Sequence, residues 1–312
     1  MYKAFYGFNK DPFSIVPNPN FLFMSETHRE ALAQLIYGVQ SGKGFIVITG
    51  EVGVGKTTVL HAFLESLRKI KAETAYIFNP RLNLKEFMLL VAEEFELPKP
   101  KNKTEFILSL QRFLLKNYKD KRPVVLIVDE AQQLHPQLLE EIRLLLNLET
   151  GQKKLLQVVL AGQPELWDTL TLLEFRQLRQ RISLYHSISP LNLRDTERYI
   201  KQRLKKSGGN LNLFTPQAIK RIFDITQGIP RLINIVCNNA LILGYALEKK
   251  KIDKSIIEQS AKDLKLLDSK KFPFYKRKLF YLTLLLVLEI GTGAWIYKTQ
   301  LSSLLFEFFN FF

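Results

Sequence analysis

The chain has 312 residues, 46% of them hydrophobic, enough to bury a sizeable core, which excludes disorder as its general state. A net charge of +15 and a pI near 9.7 admit a nucleic-acid partner, an anionic membrane surface or a lysine-rich solvated exterior. The single cysteine, Cys237, excludes an internal disulfide, and Met1–Phe21 lacks the continuous apolar run of a secretory signal, so the bulk of the chain is expected in the cytosol.

Residues 1–24 place Tyr2, Phe5, Phe8, Phe13 and Phe21 among Pro12, Pro17 and Pro19, the pattern of an extended arm whose rings need a surface. The arm is expected to pack on the domain that follows. Ser25 or Thr27 offers a helix N-cap, and Thr27 with Glu30 forms a capping box. Ala31, Leu32, Leu35, Ile36 and Val39 then recur at helical spacing, and the helix is expected to end at Ser41-Gly42.

From residue 45 short apolar runs alternate with amphipathic segments. The runs are Phe45–Thr49, Thr74–Phe78, Val124–Val128, Leu156–Ala161 and Ser183–Ile188. The intervening helices are expected at Lys56–Lys69, Leu84–Phe95, Thr104–Tyr118 and Pro136–Leu148, with a further helical stretch into Arg181. Strands that are apolar throughout belong to a parallel sheet covered on both faces, so residues 25–190 read as a doubly wound α/β domain with five strands. After Pro190 the strand signals stop. Helices at Arg194–Lys206, Pro216–Thr226, Pro230–Leu247 and Ser255–Leu266 make residues 191–267 a small all-helical domain.

Between the first strand and its helix lies Gly50-Glu51-Val52-Gly53-Val54-Gly55-Lys56-Thr57, which fits G-x-x-x-x-G-K-[ST]. Glycines let main-chain amides wrap phosphates, and the helix N-terminus adds partial positive charge. The nucleotide-binding candidates run from Gly50 through Thr58, with Lys56 reaching the β- and γ-phosphates and Thr57 binding Mg²⁺. The buried strand Val124–Val128 ends in Asp129-Glu130 at the sheet edge where ligands of such folds bind. Asp129 is the expected metal ligand, and Glu130 is the candidate to orient the attacking water. His28, His61, His135 and His186 share no ligand spacing, and Tyr37 is a candidate to flank the adenine.

Taken together, these motifs resemble the AAA+ ATPases of the general secretion pathway protein A family. The likeness extends to Phe5-Tyr6-Gly7-Phe8, Pro12-Phe13, Pro17-Asn18-Pro19 and His28 through Leu32. It continues in Asp129-Glu130-Ala131-Gln132, Ala161-Gly162-Gln163-Pro164, Leu178-Arg179-Gln180-Arg181-Ile182 and Gly228-Ile229-Pro230-Arg231. The resemblance implies a P-loop NTPase fold of AAA+ type with a C-terminal helical lid, and hydrolysis of Mg-ATP. It places Gln163 at the sensor 1 position and Arg231 at sensor 2. It makes Arg179 or Arg181, with Arg176 nearby, an arginine finger acting in trans within a homo-oligomer.

The basic linker 268–278 precedes Leu279–Tyr297, in which ten residues are Leu, Ile, Val or Phe and Glu289 is a central charge. The length and composition predict a single transmembrane helix with the ATPase domain held in the cytoplasm by the basic side, and 298–312 as a short apolar tail. An amphipathic partner-binding helix is the alternative. The resulting expectation is an inner-membrane ATPase working with envelope or secretion components. A soluble, nucleic-acid-handling ATPase of the transposition or replication-initiator kind and a slow nucleotide-gated scaffold stand beside it.

Overall fold

The computed structural model describes residues 1–15, 21–78, 81–151, 153–264 and 266. The apolar runs form one parallel five-stranded sheet: β1 (Phe45–Gly50), β2 (Glu73–Ile77), β3 (Val124–Val128), β4 (Leu156–Gly162) and β5 (Leu184–Ile188), in the order β2-β3-β4-β1-β5. Successive side chains of a strand point to opposite faces, so each central strand feeds two cores. Phe45, Val47, Leu126, Val128, Val158 and Leu160 enter one; Ile46, Ile48, Val125, Ile127, Val159 and Ala161 enter the other.

Helix α1 is the short Tyr2–Tyr6, and α2 (Glu26–Gln40) and α3 (Lys56–Lys69) cover the second face through Ala31, Leu35, Val59 and Phe63. The first face is covered by α4 (Leu84–Glu94), α5 (Lys103–Lys119), α6 (Pro136–Leu145), α7 (Pro164–Thr171) and α8 (Arg176–Arg179). Burying a Leu or Phe contributes about 1.5–3 kcal/mol each, so these two layers fix the sheet and the positions of the loops at its carboxyl edge. Four helices follow: α9 (Leu193–Lys206), α10 (Pro216–Thr226), α11 (Pro230–Ala246) and α12 (Lys254–Asp263). As expected, Thr215 caps α10 by accepting from the Ala218 amide, with Pro216 in the first turn.

Two local expectations are corrected. The cap of α2 is Ser25, and its capping box is completed by His28 rather than by Thr27 with Glu30. An imidazole nitrogen can accept from the cap amide as a carboxylate does, and a pattern restricted to Glu or Gln overlooks it. The N-terminal segment is partly helical and packs on the helices at the far end of the sequence. Tyr2 Oη donates to Asn238 Oδ1 at 3.0 Å, and the Phe5 ring meets Tyr245 and the Phe13 ring meets Phe214 edge-on at 5.4 and 5.9 Å. The rings find the apolar faces that α9 to α11 leave uncovered, a partner that only the tertiary fold supplies. The family-like Pro17-Asn18-Pro19 lies outside the described residues, as do the linker 268–278, the span 279–297 and the tail 298–312. Among the described residues no helix is long and apolar enough to cross a membrane.

The turn before α11 is set by Gly228, at φ +74°, whose carbonyl accepts from Leu191 N at 2.9 Å. A Cβ there would stand 1.8 Å from the Leu191 carbonyl oxygen. Gly228→Ala therefore combines left-handed strain with a backbone clash and is expected to lower stability by at least about 2 kcal/mol, measured by urea denaturation against the unsubstituted protein.

Candidate functional site

The phosphate-loop sequence occupies the turn from the end of β1 into α3, at the carboxyl edge of the sheet. Val54 is fully buried and anchors the loop, whereas Glu51 and Val52 are exposed. Lys56 is only 6% exposed, and its Nζ donates to the carbonyls of Gly50 and Glu51 at 2.8 and 3.2 Å. Burial pulls the Lys56 pKa below its ordinary value, while Glu130, Asp129, Glu51 and Glu165 act in the opposite sense. The ammonium thus sits folded over its own loop, facing a group of carboxylates.

Asp129 follows β3 and is 0% exposed. Its Oδ2 accepts from Thr57 Oγ1 and from Tyr76 Oη, each at 3.0 Å, and its Oδ1 accepts from the Glu130 amide at 2.9 Å. A buried carboxylate is tolerable only with such donors around it. Burial, then the charge of Asp129, hold the Tyr76 phenol above its ordinary pKa, which keeps it protonated and donating. Glu130 has a left-handed backbone, φ +53°, which turns the chain out of the strand into the short helical turn Ala131–Gln133. Its Oε2 accepts from Gln132 Nε2 at 2.8 Å and from Gln163 Nε2 at 3.5 Å. Gln132 also accepts from the Gln163 amide at 3.0 Å, so one side chain ties the ends of β3 and β4 together.

Sequence reasoning brought together Lys56, Thr57, Asp129, Glu130 and Gln163, which the fold also gathers. It missed Tyr76, which carried no signal beyond membership of a strand. Gln132 stands beside Asp129 and Glu130 in the sequence, where its position alone assigns it no task. The arginines stand apart from this group. Arg179 is exposed and its Nη1 donates to the Thr171 carbonyl at 3.2 Å, whereas Arg181 is half-buried and donates to the Leu146 carbonyl at 3.3 Å. Among the described residues, no hydrogen bond or ion pair links Arg176, Arg179 or Arg181 to Asp129 or Glu130. Arg231 lies in the first turn of α11 against the phosphate loop. Its amide donates to the Gly53 carbonyl at 3.3 Å, and a Cβ on Gly53 would meet Arg231 Cβ at 2.7 Å.

Beside the loop is a cavity of about 450 Å³ whose lining includes Phe21, Phe23, His28, Val54, Gly55, Thr58, Tyr199, Arg203 and Pro230, with His61, Glu65 and Arg68 as further polar members. Arg203 stacks between the Phe21 and Tyr199 rings at 5.2 and 5.1 Å and donates to the Pro12 carbonyl at 3.0 Å. Tyr37 is not part of this cavity: it is 55% exposed, with the Lys43 ammonium over its ring. Helix α2 reaches this cavity through His28, while Tyr37 lies outside it. Among the described residues no three His, Cys, Asp or Glu side chains converge as a metal cluster.

Residues 39–170 match a family model described as an AAA domain, a span that includes the phosphate loop, Asp129, Glu130 and Gln163. The chain is 48% identical over 255 residues to the general secretion pathway protein A of Aeromonas hydrophila, an alignment covering 81% of this chain and 46% of that protein. It thus spans about half the length of that relative. Among solved structures it is similar to Drosophila ORC bound to DNA, with a TM-score of 0.63 and 15% identity over 83% of this chain and 65% of that one. It is also similar to the Thermotoga maritima RuvB Holliday junction branch migration motor, with a TM-score of 0.53 and 15% identity over 78% of this chain and 70% of that one. At such identities the structural likeness speaks for the fold alone. The parallel sheet, the phosphate loop and the 48% identity agree, and the chain belongs to the AAA+ proteins of the general secretion pathway protein A family.

Proposed function

We propose that this protein binds Mg-ATP at the Gly50–Thr57 loop and hydrolyses it. The observation that carries the reading is the meeting of Lys56, Thr57, Asp129 and Glu130 at the carboxyl ends of β1 and β3. These residues fit a triphosphate. The ammonium of Lys56 bonds only to neutral carbonyls, so exchanging them for phosphate oxygens gains charge-assisted hydrogen bonds. They also fit Mg²⁺: the Thr57 hydroxyl and the Asp129 carboxylate are hard oxygen donors, and this cation is held through one or two carboxylates with phosphate oxygens and waters. When bound, Mg²⁺ supplies positive charge against the negative charge that develops on the transferring phosphoryl group.

Glu130 accepts a hydrogen bond from the attacking water and orients it, with Gln132 fixing the carboxylate. Gln163 takes the sensor 1 position at the end of β4, within reach of Glu130. Arg231 takes the sensor 2 position, and α9 to α12 act as the lid, with α11 meeting the loop at Gly53. The aromatic-lined cavity receives the adenine, with Thr58 at its phosphate side. Of the two finger candidates, each of which donates to one main-chain carbonyl, Arg179 fits better because it is exposed while Arg181 is half-buried. Hydrolysis then needs a homo-oligomer in which Arg179 reaches a neighbour's nucleotide.

The identity to general secretion pathway protein A supports a finer reading: hydrolysis coupled to assembly or export at the cell envelope, with inner-membrane envelope or secretion components as partners. The apolar stretch 279–297 then serves as a single-pass anchor. A nucleic-acid-handling role is the second reading, favoured by the net charge of +15.

In calorimetric titration with Mg-ATP, Lys56→Ala is expected to lose measurable binding. Glu130→Gln keeps its affinity within about threefold, while turnover falls by about 10²-fold or more; normal turnover in this variant removes Glu130 from its role. Arg179→Ala is expected to lower turnover by about 10³-fold with binding retained, and turnover per wild-type chain rises with protein concentration. Equal activity at all concentrations argues against a finger in trans. Cell fractionation separates the two broader readings: recovery with membranes supports the envelope role, and a wholly soluble protein with salt-sensitive DNA binding reverses the order.

A further inference from the structure

His28 touches the phosphate loop from behind. It is 3% exposed, in the first turn of α2, and its Nε2 lies 2.8 Å from the Val54 carbonyl oxygen. That oxygen can only accept, so Nε2 carries the proton and Nδ1 is bare. Nδ1 accepts from the Ser25 amide at 3.3 Å and from the Ser25 hydroxyl, which fixes the ring in this tautomer and orientation. Burial pushes the imidazole pKa down, so the ring is neutral near pH 7; the Val54 bond and Asp195 act upward and Arg29 downward.

A peptide unit is planar and trans, so its C=O and its N–H point in opposite directions. Holding the Val54 carbonyl toward His28 therefore aims the Gly55 N–H to the other side of the loop. Gly55 itself sits at φ +109°, and a Cβ there would meet His28 Nε2 at 2.7 Å. Glycine is needed both for the backbone angle and for the approach of the ring. The same ring lines the cavity proposed for the base.

We infer that His28 is a positioning residue for phosphate binding: seated by Ser25, it fixes the Val54–Gly55 peptide so that the Gly55 amide faces the phosphates. This rests on the proposed binding of a triphosphate at the loop. Through His28, the segment ahead of α2 contributes to the phosphate cradle although it holds no phosphate ligand of its own. The residue acts through the loop backbone, so it governs affinity for the phosphate chain with or without a base attached.

The test is calorimetric titration of the full chain in mild detergent with magnesium tripolyphosphate, which probes the loop without a base, and with Mg-ATP. His28→Phe keeps a ring but removes the donor, and is expected to weaken tripolyphosphate binding about tenfold, equivalent to about 1.4 kcal/mol. His28→Gln places an amide donor near the position of Nε2 and is expected to stay within about threefold of wild type. A folded His28→Phe protein that binds tripolyphosphate as wild type does overturns the inference. So does His28→Gln being as weak as His28→Phe, since the ring and not its N–H would then matter. Melting curves establish folding. If His28→Phe does not fold, Ser25→Ala carries the test, with a loss of about threefold expected from the loosened ring and unchanged affinity overturning the inference. A wild-type protein that binds neither probe removes the proposed function itself, whereas normal wild-type binding with insensitive variants removes only the role of His28.

Discussion

The buried carboxylate of Asp129 is the constraint around which the site is built. Three donors from three elements converge on it: Thr57 from α3, Tyr76 from β2, and the amide of the residue that leaves β3. Removing any one leaves a charge in a dry place short of a partner, a cost of about 1.5–3 kcal/mol for a hydrogen bond to a charged group. The phosphate loop is thereby registered against the end of β3 before any nucleotide arrives. The same bonds set where Glu130 emerges, because its amide is bound to Asp129 and its left-handed backbone swings the side chain toward Gln132 and Gln163.

The loop has a second set of restraints that come from outside the sheet. Arg231 at the start of α11 bonds to Gly53, and His28 at the start of α2 bonds to Val54. These contacts come from residues far apart in the chain. On the helical side, the Phe5 and Phe23 rings lie on α11 and α9, and Arg203 of α9 donates to the Pro12 carbonyl. The two contacts at Gly53 and Val54 hold the loop at adjacent residues.

What the sequence disclosed follows from the range of each signal. Strands such as Val124–Val128 and helices such as Lys56–Lys69 and Pro216–Thr226 appear with the boundaries read from apolar runs, caps and prolines, because those signals are local. The phosphate loop and the Asp129-Glu130 pair were legible because chemistry demands particular residue types at fixed spacing. Tyr76 was not, since a tyrosine on a strand satisfies strand propensity whether or not its hydroxyl meets a carboxylate. His28 was hidden by a capping rule that looks for Glu or Gln, and the resting place of the N-terminal rings depends on helices distant in the sequence. Arg179 and Arg181, two residues apart and alike in sequence, each donate to a main-chain carbonyl, and only the fold decides that one stays exposed while the other is half-buried.

The overall charge of +15 does not describe the site. Around Lys56 the neighbouring charges are Glu130, Asp129, Glu51 and Glu165, all acidic, and the single ammonium is already turned inward to its own loop. A triphosphate brought to this place meets carboxylates that repel it. What would favour it is short-ranged: the amides at the start of α3, the freed ammonium, and the positive charge of a divalent cation that Thr57 and Asp129 would hold. Charges elsewhere on the surface are screened over a distance of about 8 Å at physiological salt and cannot make up for the loss of any of these. On the proposed reading, affinity for the nucleotide rests on these few groups being held in place, and the loop that carries them is restrained from the end of β3, from α11 and from His28 at once.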